Sequence, residues 1–119
     1  MLPKEIKVGG IDYAVQIKDI ETTEGLQLGL CDFGECRIAI NSRVAEARQQ
    51  QTLIHELVHA VFVESGIEVE DEEDLVNRIG FTMYQVLKDN DFGFLRPNEE
   101  ETIVTSYYQG EKQEVIAND

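Results

Sequence analysis

Gln51-Thr52-Leu53-Ile54-His55-Glu56-Leu57-Val58-His59-Ala60-Val61-Phe62-Val63-Glu64-Ser65-Gly66 is the stretch whose reading decides the fold. Leu53, Ile54, Leu57, Val58, Val61 and Phe62 recur at helical spacing, and Ala45 to Gln51 are mostly strong helix formers. With Ser42 as a plausible N-cap and Ser65-Gly66 as the stop, the spacing predicts one helix of about six turns. Its second half is apolar over so wide a surface that it must be largely buried. A polar residue there needs a partner or a task, and three stand together: His55, Glu56 and His59.

These three form the pattern H-E-x-x-H. Residues four apart share a helical face, so both imidazoles can reach one metal ion. Glu56, beside His55, can lean toward a water at an open coordination position, where zinc brings the water's pKa toward ~7 and the carboxylate acts as general base. The chain has only two histidines and both lie in the motif, so no downstream histidine can complete the ligand set. A carboxylate is the natural third ligand, giving two neutral imidazoles and one anion around one zinc ion.

The acidic run from Glu68 to Asp74 supplies candidates. Glu73 is preferred, since it stands four residues before Asn77 on a second predicted helix, letting one bind metal and the other orient a ligand imidazole. Asp74 ranks second, being shorter and about 100° around the helix from Glu73. The other acidic residues read as a solvated loop and first turn, with Asp71 as cap. This helix carries Leu75, Val76, Ile79, Met83, Val86 and Leu87, with Val76, Gly80, Met83 and Leu87 expected to face the first helix. Gly80 costs ~1 kcal/mol relative to Ala in a helix interior; close approach of the two helices and a neutral surface position are its two readings.

Upstream the period is two. Glu5 to Val8, a Gly9-Gly10 turn, and Ile11 to Ile20 with Tyr13, Val15 and Ile17 on one face predict a β-hairpin. Leu26 to Leu30, a turn at Asp32-Phe33-Gly34-Glu35, and Arg37 to Asn41 predict a second. Downstream, Asp91 to Pro97 reads as a loop, Thr102 to Tyr108 has strand propensity, and Gly110 to Asp119 reads as an exposed tail prone to disorder. The fold class is therefore α+β, a small, mainly antiparallel N-terminal sheet packed on two core helices. A single domain over residues 1–119 is expected, its core at about residues 5–95.

Composition bounds the function. The chain of 119 residues has 24 acidic against 10 basic residues, a formal charge of -14, which repels phosphate backbones and argues against direct nucleic-acid binding. No apolar run approaches the ~20 residues of a membrane span, and the N-terminus lacks a basic-then-apolar signal pattern, so a cytosolic protein is expected. Cys31 and Cys36 are expected as unpaired thiols, with a local disulfide or metal ligation as the other readings.

The motif residues resemble those of small gluzincin-type zinc metallopeptidases, and most closely the ImmA/IrrE-like group of phages, integrative elements and their bacterial hosts. In that group a short sheet precedes an H-E-x-x-H helix, and a second helix supplies a glutamate four residues before an Asp or Asn. Here these are His55, Glu56 and His59, then Glu73 with Asn77; Arg37 to Asn41 and Gln51 to Ile54 also match, so the likeness covers roughly residues 26–90. Arg78-Ile79-Gly80-Phe81-Thr82-Met83 replaces the Ala-rich segment common there. The resemblance implies a zinc-dependent endopeptidase in which His55, His59 and Glu73 hold zinc and Glu56 is the catalytic base. It also implies a regulatory protein substrate such as a repressor, and the acidic surface favours a basic partner. Tyr84, Tyr107 and Tyr108 are candidate donors to the oxyanion. The competing expectations are a catalytically silent, zinc-stabilised module that sequesters a partner, and a closed structural zinc site using Cys31 or Cys36. An edge strand at Thr102 to Tyr108 is, by analogy, a place for an extended substrate to pair.

Overall fold

A computed structural model describes residues 1–21 and 25–96 in full, and the backbone of 103–105 and 114–116. Strands β1 (Glu5–Val8) and β2 (Ile11–Lys18) are joined by Gly9 and Gly10, whose φ values of 59° and 84° give the twist a two-residue hairpin needs. β3 (Gly29–Asp32) and β4 (Arg37–Asn41) form the second hairpin. The strand order is β1-β2-β4-β3. Both hairpins are antiparallel, but the seam joining them, β2 to β4, is parallel, with Val15 opposite Ile38 and Ile17 opposite Ile40.

Strand alternation explains part of the core. Tyr13 is buried and Val15 half-buried, whereas Ile17, expected on the same face, is exposed. In β4 the four residues Ile38 to Asn41 are all buried, this central strand being flanked by β2 on one edge and β3 on the other. Leu2, Val8, Tyr13, Ile38, Ile40, Leu53 and Ala60 make the main core, and Val58, Phe62 and Val76 a smaller one between the helices. The buried Asn41 amide donates to the Gln27 carbonyl at 2.8 Å and accepts from the Arg43 N–H at 3.0 Å. One satisfied side chain thus ties the segment before β3 to the approach to the first helix.

Helix α1 spans Glu46–Glu64 and α2 spans Glu72–Asp89. The first helix starts later than Ser42 because that residue, in the turn after β4, is tied to the end of β2: its N–H donates to the Lys18 carbonyl and its hydroxyl to Asp19. Ala45 takes the N-cap position, without a side-chain cap. At the other end the N–H of Gly66 donates to Val63 and that of Ile67 to Phe62, a Schellman closure that requires the positive φ of Gly66, 71°. Asp71, also at positive φ, precedes α2 and accepts from the N–H groups of Asp74 and Leu75 through its backbone carbonyl. Val76 and Gly80 are buried toward α1 as expected, whereas Met83 and Leu87 are exposed.

The chain falls into two compact units, Met1–Lys88 and Asp89–Asp119. In the second, a 3-10 turn at Gly93–Leu95 lies within the expected loop, and β5 (Ile103–Thr105) pairs antiparallel with β6 (Glu114–Ile116). β6 falls within the stretch Gly110 to Asp119 that reads as a tail in the sequence. Tyr107, Tyr108 and the rest of that tail lie outside the described residues. No helix among the described residues is long and apolar enough to cross a membrane.

Candidate metal centre

Both imidazoles project from α1 into the space between that helix and the start of α2. Their ring centroids are 5.1 Å apart, as one-turn spacing dictates. The Glu73 carboxylate spans the two, with Oε2 at 3.1 Å from His55 Nε2 and Oε1 at 2.9 Å from His59 Nε2. One ligand atom from each of the three residues lies within 4.8 Å of the others. Asp74 is not in this group; it is exposed and reaches Arg78 at 3.5 Å, one turn along α2.

Gly80 explains how the helices come so close. A Cβ built there would stand 3.5 Å from the His55 Cα, so α2 rests on the backbone of a motif residue with no side chain between them. On the opposite side Gly29 plays the same part for the sheet: a Cβ would meet Thr52 Cγ2 at 2.7 Å and the Ala39 carbonyl at 2.8 Å. These two close approaches set α1 between β3 and α2.

A cleft of about 500 Å³ opens over the cluster. Leu26 to Leu30 form one wall, Arg48, Gln51, Thr52, His55, Glu56 and His59 the floor from α1, and Glu73, Asn77 and Phe81 the other wall. Asn77 lines the cleft, but the group that holds an imidazole is Glu72, whose Oε2 lies 2.7 Å from His59 Nδ1. With Nδ1–H donating there, the Nε2 lone pair of His59 faces Glu73 and the cleft. Tyr84 faces elsewhere, its hydroxyl donating to Gln50 at 3.4 Å.

Charge follows burial. Glu56 is 7% exposed, and desolvation pushes its carboxyl up to about 7. Burial also lowers the pKa of His55, only partly offset by the Glu73 charge. At His59 burial acts in the same sense, but the hydrogen bond to Glu72, the Glu56 charge and the Glu73 carboxylate outweigh it and leave its pKa raised. Cys31 and Cys36 are free, half-buried thiols, and among the described residues no cysteine joins the histidine-glutamate cluster. Burial first, then the Glu56 charge, pushes the Cys31 thiol up to about 12.

The donor set fits a metal ion, since two imidazole nitrogens and a carboxylate oxygen converge on one point with a second carboxylate fixing a ring. No curated protein and no solved structure gives a significant match to the chain. The family model of the IrrE N-terminal-like domain, peptidase family M78, matches residues 13–85, which takes in β2 from Tyr13 onward, β3, β4, the whole of α1 and α2 as far as Gln85. With that match over more than half its length, the chain belongs to the IrrE N-terminal-like family of metallopeptidase-type domains.

Proposed function

We propose that residues 1–119 act as one zinc-dependent endopeptidase domain, with His55, His59 and Glu73 as metal ligands and Glu56 as general base. The observation that carries this reading is the convergence of those three side chains within 4.8 Å at the floor of an open cleft, with Glu56 buried beside them. Zinc, when bound, supplies a Lewis acid that brings a water's pKa toward ~7 and polarises a carbonyl. Glu56 takes the proton of the attacking water and delivers it to the leaving amine. Burial keeps that carboxylate out of bulk water, and the Glu56 Cγ lies 3.5 Å from where a Cβ on Gly29 would stand, close against β3. Glu72 keeps the His59 ring turned so that Nε2 is free for the metal. β3 is the outer strand of its sheet and borders the cleft, so an extended peptide finds unpaired backbone groups there.

The substrate class is a regulatory protein, with a basic segment favoured by the net charge of -14. Two measurements test this function. Zinc per chain by elemental analysis is expected near one for wild type and Asp74→Ala and much lower for Glu73→Ala. New N-termini in cells expressing wild type, absent with Glu56→Gln, would identify the cleaved partner. Equal cleavage by Glu56→Gln removes the proposed base, and full biological effect without cleavage replaces the peptidase with a sequestering module.

A further inference from the structure

Leu26, Leu28 and Leu30 make one wall of the cleft apolar, and among its described lining residues there is one permanent cation, Arg48. It stands seven residues before His55 on α1. That is two turns back on the same face, about 10.5 Å along the helix axis. The guanidinium is steadied by Gln51, with Nη1 donating to Oε1 at 2.7 Å. In a chain with 24 acidic and 10 basic residues, Arg37, Arg43 and Arg78 each meet a carboxylate within 4 Å. Arg48 meets none among the described residues. Its planar fork carries five donors, and a single neutral amide leaves most of them open to whatever enters the cleft.

We propose that Arg48 is a specificity-determining residue that receives a carboxylate of the bound peptide. This rests on the peptidase reading of the same cleft and adds the chemistry of its substrate. An extended chain advances ~3.3 Å per residue, so a group received by a side chain rooted ~10.5 Å along α1 from His55 belongs about three residues from the scissile bond. Across the whole surface the net negative charge repels acidic segments, while Arg48 attracts a carboxylate at one place only. The substrate pattern is therefore one acidic residue near the cut within a stretch that is otherwise neutral or basic. A C-terminal carboxylate at the same distance presents the same chemistry.

Peptide capture on the zinc-loaded Glu56→Gln chain tests this without requiring cleavage. Two random peptide libraries, one with free and one with amidated C-termini, are bound, washed and sequenced by mass spectrometry. The same is done with Arg48→Gln and Arg48→Glu added, after zinc content shows that each variant keeps its metal. Asp or Glu is expected about twofold to fivefold enriched at one position of the captured amidated peptides, as an exposed charged contact allows. Enrichment confined to the free-acid library assigns the carboxylate to the peptide terminus. Arg48→Gln should lose the enrichment, and Arg48→Glu should select Lys or Arg at that position. An identical profile from all three proteins, or a captured consensus without a carboxylate, overturns the role of Arg48 alone. No peptide captured with zinc present overturns the peptidase reading beneath it.

Discussion

Glu72 is the residue whose removal should most directly report on the metal centre without deleting a ligand. Its Oε2 lies 2.7 Å from His59 Nδ1, and both side chains are mostly shielded, at 30% and 17% exposed. Two effects hold the ring: the hydrogen bond sets its rotation, and the negative charge raises the basicity of Nε2. Glu72→Gln retains an oxygen that can accept from Nδ1–H and removes only the charge, whereas Glu72→Ala removes both. Losing such an outer partner lowers metal affinity by about 10- to 100-fold, or about 1.4 to 2.7 kcal/mol. The Gln variant is therefore expected near tenfold and the Ala variant near a hundredfold. Zinc competition against a chromophoric chelator at constant pH measures the two affinities, and denaturation of the metal-free proteins shows whether the fold is kept. Zinc affinities within twofold of wild type in both variants would refute the role assigned to Glu72, as would a larger loss for Gln than for Ala.

Gly29→Ala places a methyl group 2.8 Å from a backbone carbonyl that cannot swing aside. It should cost about 1–3 kcal/mol in chemical denaturation, and an unchanged midpoint would show that β3 yields instead. Gly80→Ala meets only ordinary contacts and should raise stability by up to about 1 kcal/mol through helix propensity, while Gly80→Val should push α2 from His55 and lower zinc content. The raised carboxyl of Glu56, about 7 against an ordinary 4.5, sets a sign. Burial favours the protonated form, so the metal-free wild type should lose at most about 3 kcal/mol relative to Glu56→Gln as pH rises from 5 to 8. A parallel pH profile for the two proteins in a chelator would contradict this. Cys31, at about 12, carries only ~0.01% thiolate at pH 8; iodoacetamide should leave it unmodified in the folded chain and label it in urea, as peptide mapping would show.

The parts of this molecule that were legible in advance are those written in local spacing. Two histidines four apart with an acid between them specify their own geometry once the segment is helical, and Glu73 follows from a charge pattern at helical spacing. The Gly9-Gly10 turn and the closure at Gly66 were readable for the same reason. Glu72 was not, because six acidic residues crowd one stretch, and which of them reaches His59 depends on how α2 is rotated against α1. Nor was the start of α1, since Ser42 has the chemistry of a cap but is held by Asp19 and Lys18, which are far away in sequence. Arg48 looked like any polar residue of a helix until β3 closed a wall opposite it.

The parallel seam between β2 and β4 sets an order for folding. Each hairpin closes over a few residues, but Ala14 reaches Arg37 and Lys18 reaches Asn41 only after the whole connection through β3 has been looped. Non-local pairing of this kind is slow because its chain entropy is lost before its contacts form. The wall at Leu26 to Leu30 hangs from that seam, so substitutions at Val15 or Ile38 should slow refolding more than changes in either hairpin turn. The histidine helix would then wait for its sheet, and the cleft would be among the last features to close.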